Sequence, residues 1–272
     1  MPYNDFEMSV EDSSPVELYE FSYQGGTLRF TSADRDVIFA SNLYRFAQLS
    51  RTKIDESGDI AKAHLTITAP PDFEVAELFG VAPPDDVVGL VLRRLQPEAN
   101  AAPAIWLGRV LSARWPKNQS ELRCESVFTQ MKIPGLRRIY SKNCPHVLYG
   151  PRCKVSEIAF AEEITLDVQT GRTLVSSGFD VFPDGYFSGG KISWESSPGY
   201  FVKRGIKTHV GDTVTISHPM AGIAPGTVFT ALPGCNHTLS HCGPKFDNVP
   251  NHGGMPYMKT RNPFNASSSV FS

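Results

Sequence analysis

Four of the five cysteines fall into two pairs. Eight residues separate Cys144 from Cys153, six separate Cys235 from Cys242, and 81 lie between the pairs. Each pair sits among turn formers: Asn143-Cys144-Pro145 and Gly150-Pro151-Arg152-Cys153, then Pro233-Gly234-Cys235 and Cys242-Gly243-Pro244. Such neighbours let the backbone curl around a centre. Four thiolates suit either tetrahedral zinc or an iron–sulfur cluster. The spacing follows neither common template, because paired zinc ligands usually stand about two to four residues apart and ferredoxin cysteines form compact runs. Two other readings stay open: small buried apolar residues, and two local disulfides, which need an oxidising compartment. His146, His237 and His241 lie beside or between the cysteines, so a mixed Cys/His zinc site is a further option. Arg137, Arg138, Lys142, Arg152 and Lys154 surround the first pair. Cations there would offset the cost of burying a negatively charged centre, although an exposed basic connector has the same composition. Cys124 alternates in phase with Leu122 and Ser126 and reads as the core side of a strand.

Nucleophilic chemistry has one candidate arrangement, Cys235 or Cys242 with His237, His241 or His252, which would make a Cys/His cell-wall hydrolase. A catalytic thiol needs a depressed pKa, often at a helix N-terminus, and a separately placed base. The paired cysteines lie in Gly/Pro turns with no helical pattern after them, which counts against that reading. The sequence holds no G-x-S-x-G, phosphate-loop or H-E-x-x-H motif, so the expectation is a protein that is not an enzyme. Trp115, Trp194, Tyr186, Phe187 and Tyr200 could form a stacking platform for a glycan. Aromatic residues of β proteins more often fill cores, and Trp194 alternates with Ile192 as a buried residue would.

The elements that must position these residues are mostly strands. Gly (22) and Pro (21) are abundant among the 272 residues, which implies many turns. Val16–Tyr23 and Thr27–Thr31 flank a Gln24-Gly25-Gly26 turn. Ala63, Leu65 and Ile67 alternate with polar neighbours. Residues 73–79 form a short helical turn. Val87–Leu95, Ile105–Trp115 and Glu121–Phe128 read as further strands. The composition shifts near residue 130, and β signals resume from Ile158 to Pro233, with a hairpin around Gln169-Thr170-Gly171-Arg172 and strands at Tyr200–Ile206 and Thr213–Ile216. The expected fold is therefore mainly β in two β-rich regions, an N-terminal domain 1–133 and a β subdomain 134–272 that ends in an irregular strap, 245–272. Apolar residues at 41% support a core, and a net charge of −2 excludes a globally basic nucleic-acid binder. No apolar run approaches the roughly 18 residues of a membrane span. The acidic start lacks the features of a secretory signal, so folding in a cytoplasm is expected.

Three segments also carry a resemblance. They are residues 136–154, LRRIYSKNCPHVLYGPRCK; Asp184-Gly185-Tyr186-Phe187-Ser188-Gly189-Gly190; and Pro233-Gly234-Cys235 through Cys242, followed by Lys245-Phe246-x-Asn248-x-x-Asn251-x-Gly253-Gly254-x-Pro256. In this order they resemble the tail-assembly proteins of prophages and gene transfer agents, a family similar to minor tail protein L of lambda-like phages. The motifs lie within residues 134–265, and over residues 1–130 the resemblance rests on general character and position. It implies hub-type β-barrel or sandwich domains in a tail-tip or baseplate hub protein of the virion, made and assembled in the bacterial host cytoplasm. It implies a four-iron four-sulfur (4Fe-4S) cluster on Cys144, Cys153, Cys235 and Cys242, with zinc as the alternative, acting as a structural staple. It further implies three copies per hub, a distal tail protein above and a central hub or tail fibre protein below, with neither nucleic-acid specificity nor stable membrane insertion. His252 and Met255 depart from the pattern, standing where the family usually has aromatic residues. The 81 residues between the pairs exceed the corresponding stretch of the lambda protein.

Overall fold

In the computed structural model, alternation of apolar and polar side chains translates directly into strands with one buried face. The residues described are 3–8, 15–54, 64–81, 83–96, 100–132, 135, 138–197, 200–220 and 223–259. Arg137, Ala63, the boundary expected at residue 133 and the strap beyond residue 259 lie outside them. The chain divides into two compact units, Met1–Pro134 with Ser197–Tyr200 and Gly135–Ser196 with Phe201–Ser272.

The first unit is built on nine strands: β1 (Val16–Tyr23), β2 (Gly26–Thr31), β3 (Val37–Phe39), β4 (Asn42–Phe46), β5 (Ser50–Arg51), β6 (His64–Ala69), β7 (Val88–Leu95), β8 (Ala104–Arg114) and β9 (Ser120–Ser126). They form one sheet in the order β3-β4-β2-β1-β7-β8-β9-β6-β5. Neighbours are antiparallel except β2 and β4, which run parallel. Leu65 and Ile67 of β6 and Leu122 and Cys124 of β9 are fully buried at every second position, and they join Tyr19, Phe21, Leu90 and Leu92 in one apolar core. A short helix, Glu74–Glu77, contributes Val75 and Ala76 to that core. Cys124 is thus the core residue its alternation predicts, and burial pushes its thiol up to about 12.

The second unit holds seven strands: β10 (Glu162–Thr165), β11 (Val168–Thr170), β12 (Thr173–Val175), β13 (Lys191–Ser197), β14 (Tyr200–Val210), β15 (Thr213–Ile216) and β16 (Val228–Leu232). Their order is β10-β16-β13-β14-β15-β12-β11. Every one of them lies in the stretch between Cys153 and Cys235. The core of this sheet is aromatic, with Phe179, Phe187 and Phe229 buried beside Trp194, Leu174 and Val214. The loop Asp184–Gly190 lies against it through three backbone hydrogen bonds with β14, from Gly185 N–H to His209 O (2.9 Å), from Gly189 N–H to Ile206 O (3.0 Å) and from Ile206 N–H to Gly190 O (2.8 Å). After β16 comes a helix, Leu239–Phe246, then a 3-10 turn, Val249–Asn251.

That helix corrects the expectation of turns alone around the second cysteine pair. Gly243 and Pro244 read as helix breakers, but Pro244 falls in the last turn. The intrahelical bond it removes is the one to the carbonyl of Ser240, an exposed residue. The helix closes at Asp247, whose left-handed backbone (φ 45°) turns its N–H onto Gly243 O at 2.8 Å. The strap is likewise less irregular than expected, since its first residues complete the helix and Met255 N–H returns to Ser141 O at 2.8 Å.

A candidate four-cysteine site

Cys144, Cys153, Cys235 and Cys242 line one small cavity of about 10 Å³, room for a single water. Each reaches it by a different device. Cys144 is fixed by its own N–H, which donates to His237 O at 2.7 Å, so the first cysteine of one pair is tied to the segment of the other. Cys153 ends a turn in which Lys154 N–H donates to Gly150 O, and the backbone at Lys154 is left-handed (φ 61°). Cys235 follows Gly234, whose place against Ser188 and Gly190 leaves no room for a Cβ. Cys242 points inward from the helix and is buried.

Three of the four sulfurs receive N–H groups. Gly253 N–H lies 3.3 Å from Cys144 Sγ, and His237 N–H lies 3.3 Å from Cys235 Sγ. The Asn248 side-chain amide lies 3.6 Å from Cys153 Sγ while it donates to Cys153 O at 2.6 Å. Asn248 is itself held by Asn251, whose amide donates to its Oδ1 at 2.6 Å. The fourth sulfur, Cys242 Sγ, sits 3.4 Å from Asn248 O as a donor. N–H donors converging on sulfur are what a thiolate needs, since they stabilise its negative charge. As bare thiols the two in the second pair resist ionisation. Burial first, and then the other cysteines, push the Cys235 and Cys242 thiols up from their ordinary value, with the His237 amide opposing this at Cys235.

Around the thiols lies a thin apolar shell of Cys153, Val155 and Phe246, with Leu148, Tyr149 and Phe160 against it. Tyr149 stacks edge-on to Phe246 and donates its hydroxyl to Pro233 O at 2.7 Å. Lys245 spans to the Asp184–Gly190 loop, donating to Tyr186 O and to Gly234 O at 2.8 Å.

His146, His237 and His252 also line the cavity, whereas His241 stacks on Phe246 instead. His252 Nε2 is enclosed and has no hydrogen-bond partner among the described residues. No group of three or more His, Cys, Asp or Glu among the described residues is placed to hold a metal ion. The four expected ligands are together, with three histidines beside them, without forming a ready-made coordination sphere. All five cysteines are free thiols, so the local-disulfide option fails.

Among the described residues no cysteine sulfur is hydrogen-bonded to a histidine ring, and burial shifts Cys235 and Cys242 away from the thiolate that attack requires. The residues of the expected glycan platform are not exposed as a set. Phe187 and Trp194 are buried in the core, Tyr186 stacks on Phe182, and Trp115 in the other unit spends its indole N–H on Pro71 O. Tyr200 begins β14. The residues that sequence reasoning about chemistry missed are Asn248, Asn251 and Gly253, the donors and braces of the sulfurs.

Among known proteins, residues 185–262 match a family model described as a phage conserved hypothetical protein, BR0599. An uncharacterized protein of Xylella fastidiosa (strain 9a5c) is 28% identical over 136 residues, a match that covers 46% of this chain and 28% of that relative's length. A solved chain from the virion of a native gene transfer agent particle superimposes with a TM-score of 0.79 at 17% identity, covering 99% of this chain and 96% of the other. At that identity the likeness establishes a shared fold along the whole chain.

Proposed function

We propose that this chain is a structural virion component of a phage-like or gene-transfer-agent tail, positioned at the tail tip or baseplate hub, and that Cys144, Cys153, Cys235 and Cys242 hold a 4Fe-4S cluster. The observation that carries the cluster is the convergence of both ends of an 81-residue stretch on one cavity, with N–H groups already aimed at three of the sulfurs. The donor set fits the group, being four soft sulfur ligands in a mostly apolar pocket. A lone zinc ion is the alternative occupant. It would bind the same four sulfurs at about 2.3 Å. Cys144, Cys153, Cys235 and Cys242 would hold the cluster, which would supply a covalent crosslink between the chain before β10 and the chain after β16. The chain's own residues orient the ligands through Gly253, His237 and Asn248 and keep water out with Phe246, Val155 and Leu148.

The virion reading is supported by the fold shared with a gene transfer agent particle chain and by the matched phage family segment. With it go the assembly partners: two further copies in a homotrimer, a distal tail protein and a central hub or fibre protein. Anaerobic purification of the full chain tests the cluster. Iron and acid-labile sulfide near four each per chain, with visible absorption lost in Cys235→Ser, are expected. Stoichiometric zinc without sulfide would overturn it. Mass spectrometry of purified particles from the producing strain tests the virion role.

A further inference from the structure

Beside the cysteine cavity, on the solvent side of the second unit, two hollows of about 360 and 270 Å³ meet at Arg138. The first is walled by Val147, Pro145, Pro151 and Arg152, the second by Ile139, Tyr140 and Met255. Ile139 is 74% exposed, and Tyr140 and Val147 are each 78% exposed. The surface is built rather than frayed. Arg138 donates to Gly253 O at 3.1 Å, Met255 N–H donates to Ser141 O at 2.8 Å, and a Cβ on Gly254 would collide with the backbone of Lys142 and Asn143. Its charge has one sign. The lining of the two hollows carries Arg138 and Arg152 and no Asp or Glu, in a chain whose net charge is −2.

Exposed Tyr and Met beside guanidinium groups, without acidic residues, is the composition of a protein–protein contact centre. A pre-formed hollow also spares a partner the ordering cost. From this surface we infer a docking site for an acidic segment of another protein chain, seated over Arg138 with its carboxylates on Arg138 and Arg152 and an apolar side chain against Val147 or Tyr140. The one-signed charge selects an acidic occupant, and the apolar walls select a polypeptide over a bare phosphate or glycan. This deepens the assembly role proposed above and rests on it only for the setting in which the partner is met.

The test uses the full chain purified anaerobically and, as probe, a fluorescent random copolymer of glutamate and tyrosine. Phosphatidylglycerol vesicles and inorganic polyphosphate serve as competing anions. Saturable copolymer binding is expected, weakened about tenfold or more by Arg138→Glu with Arg152→Glu. Tyr140→Ser with Val147→Ser, which leaves charge unchanged, should weaken it severalfold. Arg35→Glu with Lys117→Glu, exposed cations of the first unit, alters net charge equally and should leave binding unchanged. If the reversed pair misfolds, Arg138→Gln with Arg152→Gln replaces it. Absence of copolymer binding, equal loss in the control pair, or vesicle or polyphosphate binding through Arg138 and Arg152 in its place overturns the inference. The virion reading is judged apart from this, by whether the unaltered chain is found in particles.

Discussion

In the first unit Tyr19, Phe21, Leu65, Leu90 and Leu122 bring four strands, β1, β6, β7 and β9, onto one continuous apolar layer. The second unit divides its burial. An aromatic core around Phe179 and Phe187 serves the sheet, and a separate, much smaller cluster of Cys153, Val155 and Phe246 serves the base where the sheet's two ends meet. Apolar burial at roughly 25 cal/mol per Å² can sustain the first arrangement alone. The base of the second has few apolar residues and many polar atoms, so it is the place where a bonded crosslink adds most. The difference teaches where to look for a cofactor: at the joint that the hydrophobic effect leaves weakest.

The largest expected effect comes from Cys153→Ser in the loaded protein. Losing a crosslink that closes a stretch of this length removes about 4–5 kcal/mol, by analogy with a disulfide. Hydrogen exchange should quicken across β10–β16 and stay unchanged in β1, β7 and β9. Equal change in both units would erase the contrast. Phe21→Ala should invert the pattern, costing about 3–5 kcal/mol in the first unit, with metal content untouched.

A finer distinction separates Cys124 from the other four. In the fold its pKa stands near 12 against an ordinary 9, so the unfolded chain ionises first as pH rises. The resulting contribution is intact below pH 9 and is lost between pH 9 and 12. Over that window wild type should lose up to about 1.4 kcal/mol per pH unit more than Cys124→Ala, read as a difference in denaturation midpoints. At pH 8 native Cys124 should resist iodoacetamide. Its alkylation in folded protein would remove it from the core.

The strands of strong alternation were legible because side-chain period and burial are one fact: β1, β7, β8 and β9 stand within a residue or two of the expected positions. Val37–Phe39 and Asn42–Phe46 were not, since three to five residues are too few to display a period. Gly243 and Pro244 concealed the last helix, because residue type states a preference and a helix terminus satisfies it. The cysteine pairs were visible from spacing and turn residues. Their convergence was not, because the bond from Cys144 N–H to His237 O spans residues far apart in the chain. Asn248, Asn251 and Gly253 stood in the motif that carried the family resemblance, but amides that serve sulfur leave no mark of their role in composition or periodicity.

Since the seven strands of the second sheet all lie between Cys153 and Cys235, and both cysteines reach the same small cavity, that sheet begins and finishes at one point. A segment tethered this way behaves as a cassette. It can lengthen, shorten or be exchanged for another fold while the two anchoring strokes of backbone keep their places, so related chains are free to vary its outline without redesigning what holds it.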